Sequence, residues 1–224
     1  MNDAREEIFQ SIRRALPQSA LAPDLESDLP PAQVADIAPL ACATRWRDEL
    51  TALGGHVHGP VAAAEAPALV ASIARSLGAT ALLAWGESSL RLPGLTAALA
   101  SEHIECVRPA PDVDPREGRA RFASMEVGLT GAVAGLADTG SVIVASGSAQ
   151  PRSASLLPPT CIVVLHQTDL YADLPSWMAL EGARRMPDTA NLVIITGPSR
   201  TADIELSLVI GVHGPGVLHV VLAS

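Results

Sequence analysis

From residue 40 onward the chain alternates helical stripes with short, wholly apolar runs, and glycines mark the changes. This rhythm constrains the fold more than any other feature. The spacing predicts a helix over Thr44–Leu53 stopped by Gly54-Gly55, then a strand over His56–Val61. A helix over Ala66–Leu77 ends at Gly78, and a strand follows at Ala81–Trp85. A helix over Leu95–Ser101 leads into a strand at Ile104–Val107. Runs that are apolar on both faces belong to buried strands, and a helix between two strands is the crossover that parallel pairing needs. The expected fold is therefore α/β, with a mostly parallel sheet.

The middle breaks the rhythm. Val127–Ser146 reads VGLTGAVAGLADTGSVIVAS, two small-residue apolar runs hinged at Asp138-Thr139-Gly140, which predicts two adjoining strands with a tight connection. A polar, proline-bearing loop follows over Gly147–Pro159. Strands at Cys161–Leu165, Leu192–Thr196 and Val217–Leu222, with a helix over Trp177–Arg185, complete the pattern.

The first 39 residues are different. Ile8, Ile12 and Leu16 form one stripe of a helix over residues 3–16 that Asn2 or Asp3 can cap and Pro17 stops. Prolines and acids without periodicity then run to Pro39. Residues 1–39 thus read as a helix and flexible linker, and 40–224 as the α/β domain. The helix is an appendage that docks either on this domain or on another protein.

Charge and composition exclude several classes. With 24 acidic and 15 basic side chains the formal net charge is -9, the wrong sign for a nucleic-acid binder. All 15 basic residues are arginine, so Schiff-base chemistry, pyridoxal phosphate attachment and a P-loop lysine are excluded. Mean hydropathy is +0.28, yet the most apolar stretches carry Asp138, or Glu205, His213, Pro215 and His219, and neither makes a membrane span. Three separated cysteines (Cys42, Cys106 and Cys161) and a polar start without an apolar run point to a reducing cytoplasm and inert buried thiols. His56 and His58 share one face of their strand, but two histidines make no zinc set; no metal or cofactor is expected.

In open α/β sheets ligands bind on loops beyond strand carboxyl ends. Two segments have suitable composition. Asp138-Thr139-Gly140-Ser141 offers hydroxyl donors, a glycine for close approach and an acid; it also suits a plain tight turn. Gly197-Pro198-Ser199-Arg200-Thr201-Ala202-Asp203-Ile204-Glu205 follows a strand. Ser199, Arg200 and Thr201 can bind a phosphate or carboxylate, with Asp203 or Glu205 as acid, base or ion-pair partner of Arg200. The same residues can cap a helix, Ser199 or Thr201 at its start and Asp203 in its first turn. His213, in Gly211-Val212-His213-Gly214-Pro215-Gly216, can serve as a general base or fix its loop through a carbonyl. Arg152, with Ser153 and Ser155, can close over the pocket as a lid. Glu126 is a candidate carboxylate nucleophile or a solvated acid at a strand entrance.

Thr130-Gly131-Ala132, Ala137-Asp138-Thr139-Gly140-Ser141, Gly197–Glu205 and Gly211–Pro215, in this order, closely resemble the lactate utilization protein C family, the LUD-domain proteins. The resemblance covers Leu40 to the C-terminus. It implies a fold like that of the ribose-5-phosphate isomerase, glucosamine-phosphate deaminase and CoA-transferase superfamily, a Rossmann-like α/β layer structure. It also implies a role in oxidising L-lactate to pyruvate beside two iron–sulfur oxidoreductase partners, in a subunit without a cluster of its own. Three cysteines cannot supply a four-thiolate site, which agrees with that implication. Two readings follow. One is an accessory subunit of a lactate-oxidising assembly with a possible small anionic ligand. The other is a stand-alone enzyme on a phosphorylated or acyl molecule, with Asp138, Asp203 or Glu205 as base and Arg200 as anion clamp.

Overall fold

The computed structural model describes residues 2–15, 38–108, 121–147, 149–185, 189–202, 208–210 and 213–224. The chain divides into two units, Met1–Ala32 and Gln33–Ser224. In the first, helix α1 (Asn2–Ala15) turns Ile8, Phe9 and Ile12 outward, 60%, 41% and 49% exposed, so its apolar stripe is open within its own unit.

The second unit is built on a six-stranded sheet. Its strands are β1 (His56–Val61), β2 (Ala81–Ala84), β3 (Glu105–Val107), β4 (Val127–Gly131), β7 (Thr160–His166) and β12 (Val217–Ala223). They run in the order β1-β12-β7-β4-β2-β3, every pair parallel. The expected α/β architecture is the one observed. Helices α2 (Pro39–Ala52), α3 (Ala66–Ser76), α4 (Glu87–Leu90) and α5 (Leu95–Ser101) provide the crossovers and flanks. In β7, Cys161 to Leu165 are buried without interruption, which explains a run with no polar alternation. Each large aliphatic side chain so buried contributes about 1.5–3 kcal/mol.

A second sheet was not legible in the sequence. The apolar stretch read as two adjoining strands holds three. Ala132 N–H still donates to Val164 of the first sheet at 2.8 Å, and Val133 N–H donates to Ile143 at 2.8 Å, so the chain changes sheets between these two residues. Beyond the change lie β5 (Ala134–Leu136) and β6 (Ser141–Ser146), antiparallel partners joined by the Ala137–Gly140 connection. With β8 (Leu170–Tyr171) and β9 (Asn191–Ile195) they form a sheet in the order β8-β5-β6-β9. Val142 and Val144 face the main core, whereas Ile143 packs with Ala134, Leu136 and Trp177 on the other side. Both faces of β6 are thus buried.

Three further segments differ from expectation. Residues 153–156 form a short helix, α6 (Ser153–Leu156), inside the expected polar loop. The helix expected at Trp177 begins with Leu174–Trp177, where Asp173 accepts from the Ser176 N–H at 2.8 Å, and continues as a π-helical turn over Met178–Gly182. Arg200–Ala202 forms β10, paired antiparallel with β11 (Leu208–Ile210), so the stretch after Gly197 opens a hairpin and Ser199 and Thr201 cap no helix. Among the described residues no helix is long and apolar enough to cross a membrane.

Candidate functional site

Helix α2 organises the site. Trp46 and Leu50, both fully buried, anchor it to the core, and the Trp46 indole N–H donates to the Ser141 carbonyl at 3.0 Å. The turn ahead of β6 lies against the same helix. Gly140 has φ +66°, and a Cβ there would stand 2.3 Å from the Leu50 nitrogen; the turn needs glycine for conformation and for clearance. The next loop uses the same device at Gly197, with φ +83° and a would-be Cβ 3.0 Å from Leu53 Cβ. Both candidate loops therefore pack on the C-terminal half of α2.

A cavity of about 380 Å³ opens at the carboxyl end of β9 and the amino end of β12. Apolar walls come from Leu53, Leu156, Val193, Ile195, Pro198 and Leu218; the polar groups are Ser155, Thr196, Ser199, Arg200 and His213. Ser199 N–H donates to the Pro215 carbonyl at 2.8 Å, which fastens the Arg200 loop to the His213 loop. Arg200 is exposed, and its Nη2 donates to the Leu53 carbonyl at 2.6 Å, placing a cation at the C-terminus of α2. That bond uses one of five guanidinium donors.

The Asp138-Thr139-Gly140-Ser141 turn reaches this cavity indirectly. Thr139 Oγ1 donates to Asp138 Oδ1 at 3.2 Å and lies 2.8 Å from Ser141 Oγ, which in turn lies 2.8 Å from Thr196 Oγ1. Thr196 lines the cavity, so a file of three hydroxyls joins Asp138 to it. Sequence reasoning missed Thr196 as a site residue. The signal available was its place as the last residue of an apolar strand run, directly before Gly197.

The other candidates sort as follows. Ser155 is buried on the cavity wall and donates through Oγ to the Arg152 carbonyl at 3.0 Å; Arg152 itself is exposed and outside the lining. Thr201 sits in β10, paired with Val209 through the backbone. Asp203 and Glu205 lie outside the described residues. Glu126 is exposed just ahead of β4.

A second, more open cavity lies beyond the carboxyl ends of β2 and β3, lined by Glu87, Ser88, Arg91, Thr96 and Arg108 among others. Its charges are engaged locally. A hydrogen bond from the Thr96 side chain, with those from the Thr96 and Gly94 N–H groups at 2.6 and 3.3 Å, holds the Glu87 carboxylate below the usual carboxylate range, and Arg91 pairs with Asp169.

His219, read from the sequence only as a break in an apolar stretch, completes a stack of three imidazoles. Its ring lies 4.7 Å from that of His56 and 5.2 Å from that of His58, and its Nδ1 is 2.9 Å from His58 Nε2. Burial, with His56 and His58 alongside, lowers the pKa of His219 to about 4; burial and His56 lower that of His58. Among the described residues no three His, Cys, Asp or Glu side chains are arranged to hold a metal ion. Burial raises the Cys42 thiol and pushes Cys161 up to about 12, far from a reactive thiolate.

An all-parallel six-stranded sheet with a mixed second sheet defines a Rossmann-like α/β domain, and a cavity lined in part by Arg200 opens at a strand exit. Residues 43–223 match the LUD domain family, and the chain belongs to that family. It is 34% identical over 142 residues to lactate utilization protein C of Halalkalibacterium halodurans, covering 60% of this chain and 58% of that protein. It is 35% identical over 121 residues to an uncharacterized protein of Neisseria meningitidis serogroup B, covering 53% of this chain and 51% of that one. It is 34% identical over 161 residues to the uncharacterized protein YkgG of Escherichia coli K12, covering 67% of each. The chain spans 58% and 51% of the length of the first two of these relatives. A DUF162 family protein from Deinococcus radiodurans, solved at 1.70 Å, shares the fold with a TM-score of 0.56 at 20% identity, covering 84% of this chain and all of that one.

Proposed function

We propose that this chain is a subunit of a cytoplasmic lactate-utilization system that converts L-lactate to pyruvate, working beside iron–sulfur oxidoreductase subunits and carrying no cluster itself. The relatives named lactate utilization protein C support the role. Three cysteines, one short of a four-thiolate set, support the division of labour. The observation that carries the site is the convergence of Thr196, Ser199 and Arg200 on one largely apolar cavity of about 380 Å³. Such a cavity suits a small carboxylate, with the guanidinium on the charged end and the aliphatic wall on the rest.

The test has two arms. Purified chain is titrated with L-lactate and pyruvate, and binding that Arg200→Ala weakens supports the site. The tagged chain is also isolated from cells, with and without residues 1–16. Iron–sulfur proteins retained by the full chain and lost with the helix support the accessory role. A chain that turns over a phosphorylated or acyl substrate alone supports the stand-alone alternative instead.

A further inference from the structure

The hydroxyl file between Asp138 and the cavity has a direction, and that direction determines what Thr196 offers a ligand. A carboxylate only accepts, so the Asp138–Thr139 contact takes the Thr139 proton. A hydroxyl has one proton to give. Thr139 must then accept at its 2.8 Å contact with Ser141, and the Ser141 proton is spent there. Ser141 in turn must accept at its 2.8 Å contact with Thr196, so the Thr196 proton points inward, along the file. Thr196 lines the cavity, and with its proton so engaged its Oγ1 can only accept from a ligand there.

The file is held in place. Ser141 is only 1% exposed, its carbonyl is fixed by the Trp46 indole, and the turn before it is pressed against α2 at Gly140. Thr139 and Thr196, on either side of Ser141, are exposed, so the sense of the file is set by the carboxylate at its Asp138 end. Reversing the sense would strip Asp138 of the Thr139 proton, a charge-assisted bond.

We propose that Thr196 is a specificity-determining residue that requires a hydrogen-bond donor from the ligand, so that the cavity discriminates an anion bearing a hydroxyl from its carbonyl counterpart. Asp138, Thr139 and Ser141 are positioning residues that act through Thr196. Arg200 receives the anionic end, and this part rests on the cavity reading given under the proposed function. A carbonyl oxygen placed at Thr196 would face lone pairs with lone pairs.

The experiment uses three acids of one length: 2-hydroxybutyrate, 2-oxobutyrate and butyrate. Each is titrated calorimetrically into the full chain, into Thr196→Val, Thr196→Ser and Asp138→Ala, and the melting temperature of each variant is recorded. The hydroxy acid is expected to bind about tenfold more tightly than the oxo acid, the upper end of what one neutral hydroxyl–hydroxyl hydrogen bond contributes. Thr196→Ser retains this ratio. Thr196→Val brings the hydroxy acid down to the affinity that butyrate has for the same variant. Asp138→Ala frees the file to reverse and moves the ratio toward one, which a merely structural role for Asp138 would not do. Equal binding of the hydroxy and oxo acids by the unaltered chain overturns the proposal while leaving the anion cavity standing. So does an unchanged ratio in Asp138→Ala. Failure of all three acids to bind overturns the cavity reading and this proposal with it.

Discussion

Arg200 Nη2 lies 2.6 Å from the Leu53 carbonyl, so the guanidinium that faces the cavity also terminates helix α2. One side chain thus joins the site to the helix on which both candidate loops pack. Arg200→Ala removes a cation from a helix C-terminus, a loss of about 0.5–1 kcal/mol, or roughly 1–4 °C in Tm for a domain of this size. The chain stays folded, and anion affinity falls at least about tenfold. Thermal denaturation and calorimetry on the same sample check both halves; loss of folding would make Arg200 a structural residue only.

Two glycines separate conformational strain from lack of room. Gly140 has φ +66° and a backbone atom 2.3 Å from a would-be Cβ, whereas Gly78 has φ +72° with nothing within 4 Å. Gly78→Ala is expected to cost about 1 kcal/mol, the left-handed backbone alone. Gly140→Ala is expected to cost about 3 kcal/mol, lowering Tm by roughly 6–12 °C, because α2 must move as well. Equal melting temperatures would show that the turn yields without disturbing the helix.

The histidine stack makes stability depend on pH. His219 titrates near 4 in the fold and near the ordinary 6.5 once unfolded. Between these values the unfolded chain binds more protons, so its contribution is present above pH 6.5 and is lost as pH falls toward 4. The groups stacked against it are His56 and His58, both on β1. Urea denaturation at pH 7, 5.5 and 4.5 should show a falling midpoint in the native chain and a flatter profile in His219→Gln. Superimposable profiles would contradict this assignment.

Thiol accessibility gives a further check. Cys42 and Cys161 are buried, while Cys106 is partly exposed. A thiol reagent at pH 8 should modify Cys106 in the native chain and reach the other two only in denaturant. Rapid native labelling of Cys161 would contradict its burial.

The strand–helix alternation from His56 to Val107 was legible because its elements carry their own periods, with glycines such as Gly78 and Gly86 marking breaks. The second sheet was not. A chain that changes sheets between Ala132 and Val133 keeps both faces of Val142–Val144 buried, so the residues show no polar alternation to mark the change. The β10–β11 hairpin was hidden for a related reason, since hydroxyls and acids after a strand suit a helix cap as well as a turn. At the site, Ser199, Arg200 and His213 could be chosen by chemistry, and the cavity gathers them. Thr196 and His219 could not, because each depends on a partner far away in sequence: Ser141, 55 residues away, and His58, 161 away.

The most direct test of the site is calorimetric titration of L-lactate and pyruvate into the purified chain and into Arg200→Ala, at low salt. Saturable binding at one site by the native chain, weakened at least about tenfold in the variant, is the predicted result. Binding of equal strength in both proteins, or no binding to a natively folded chain, would contradict an anion site at Arg200.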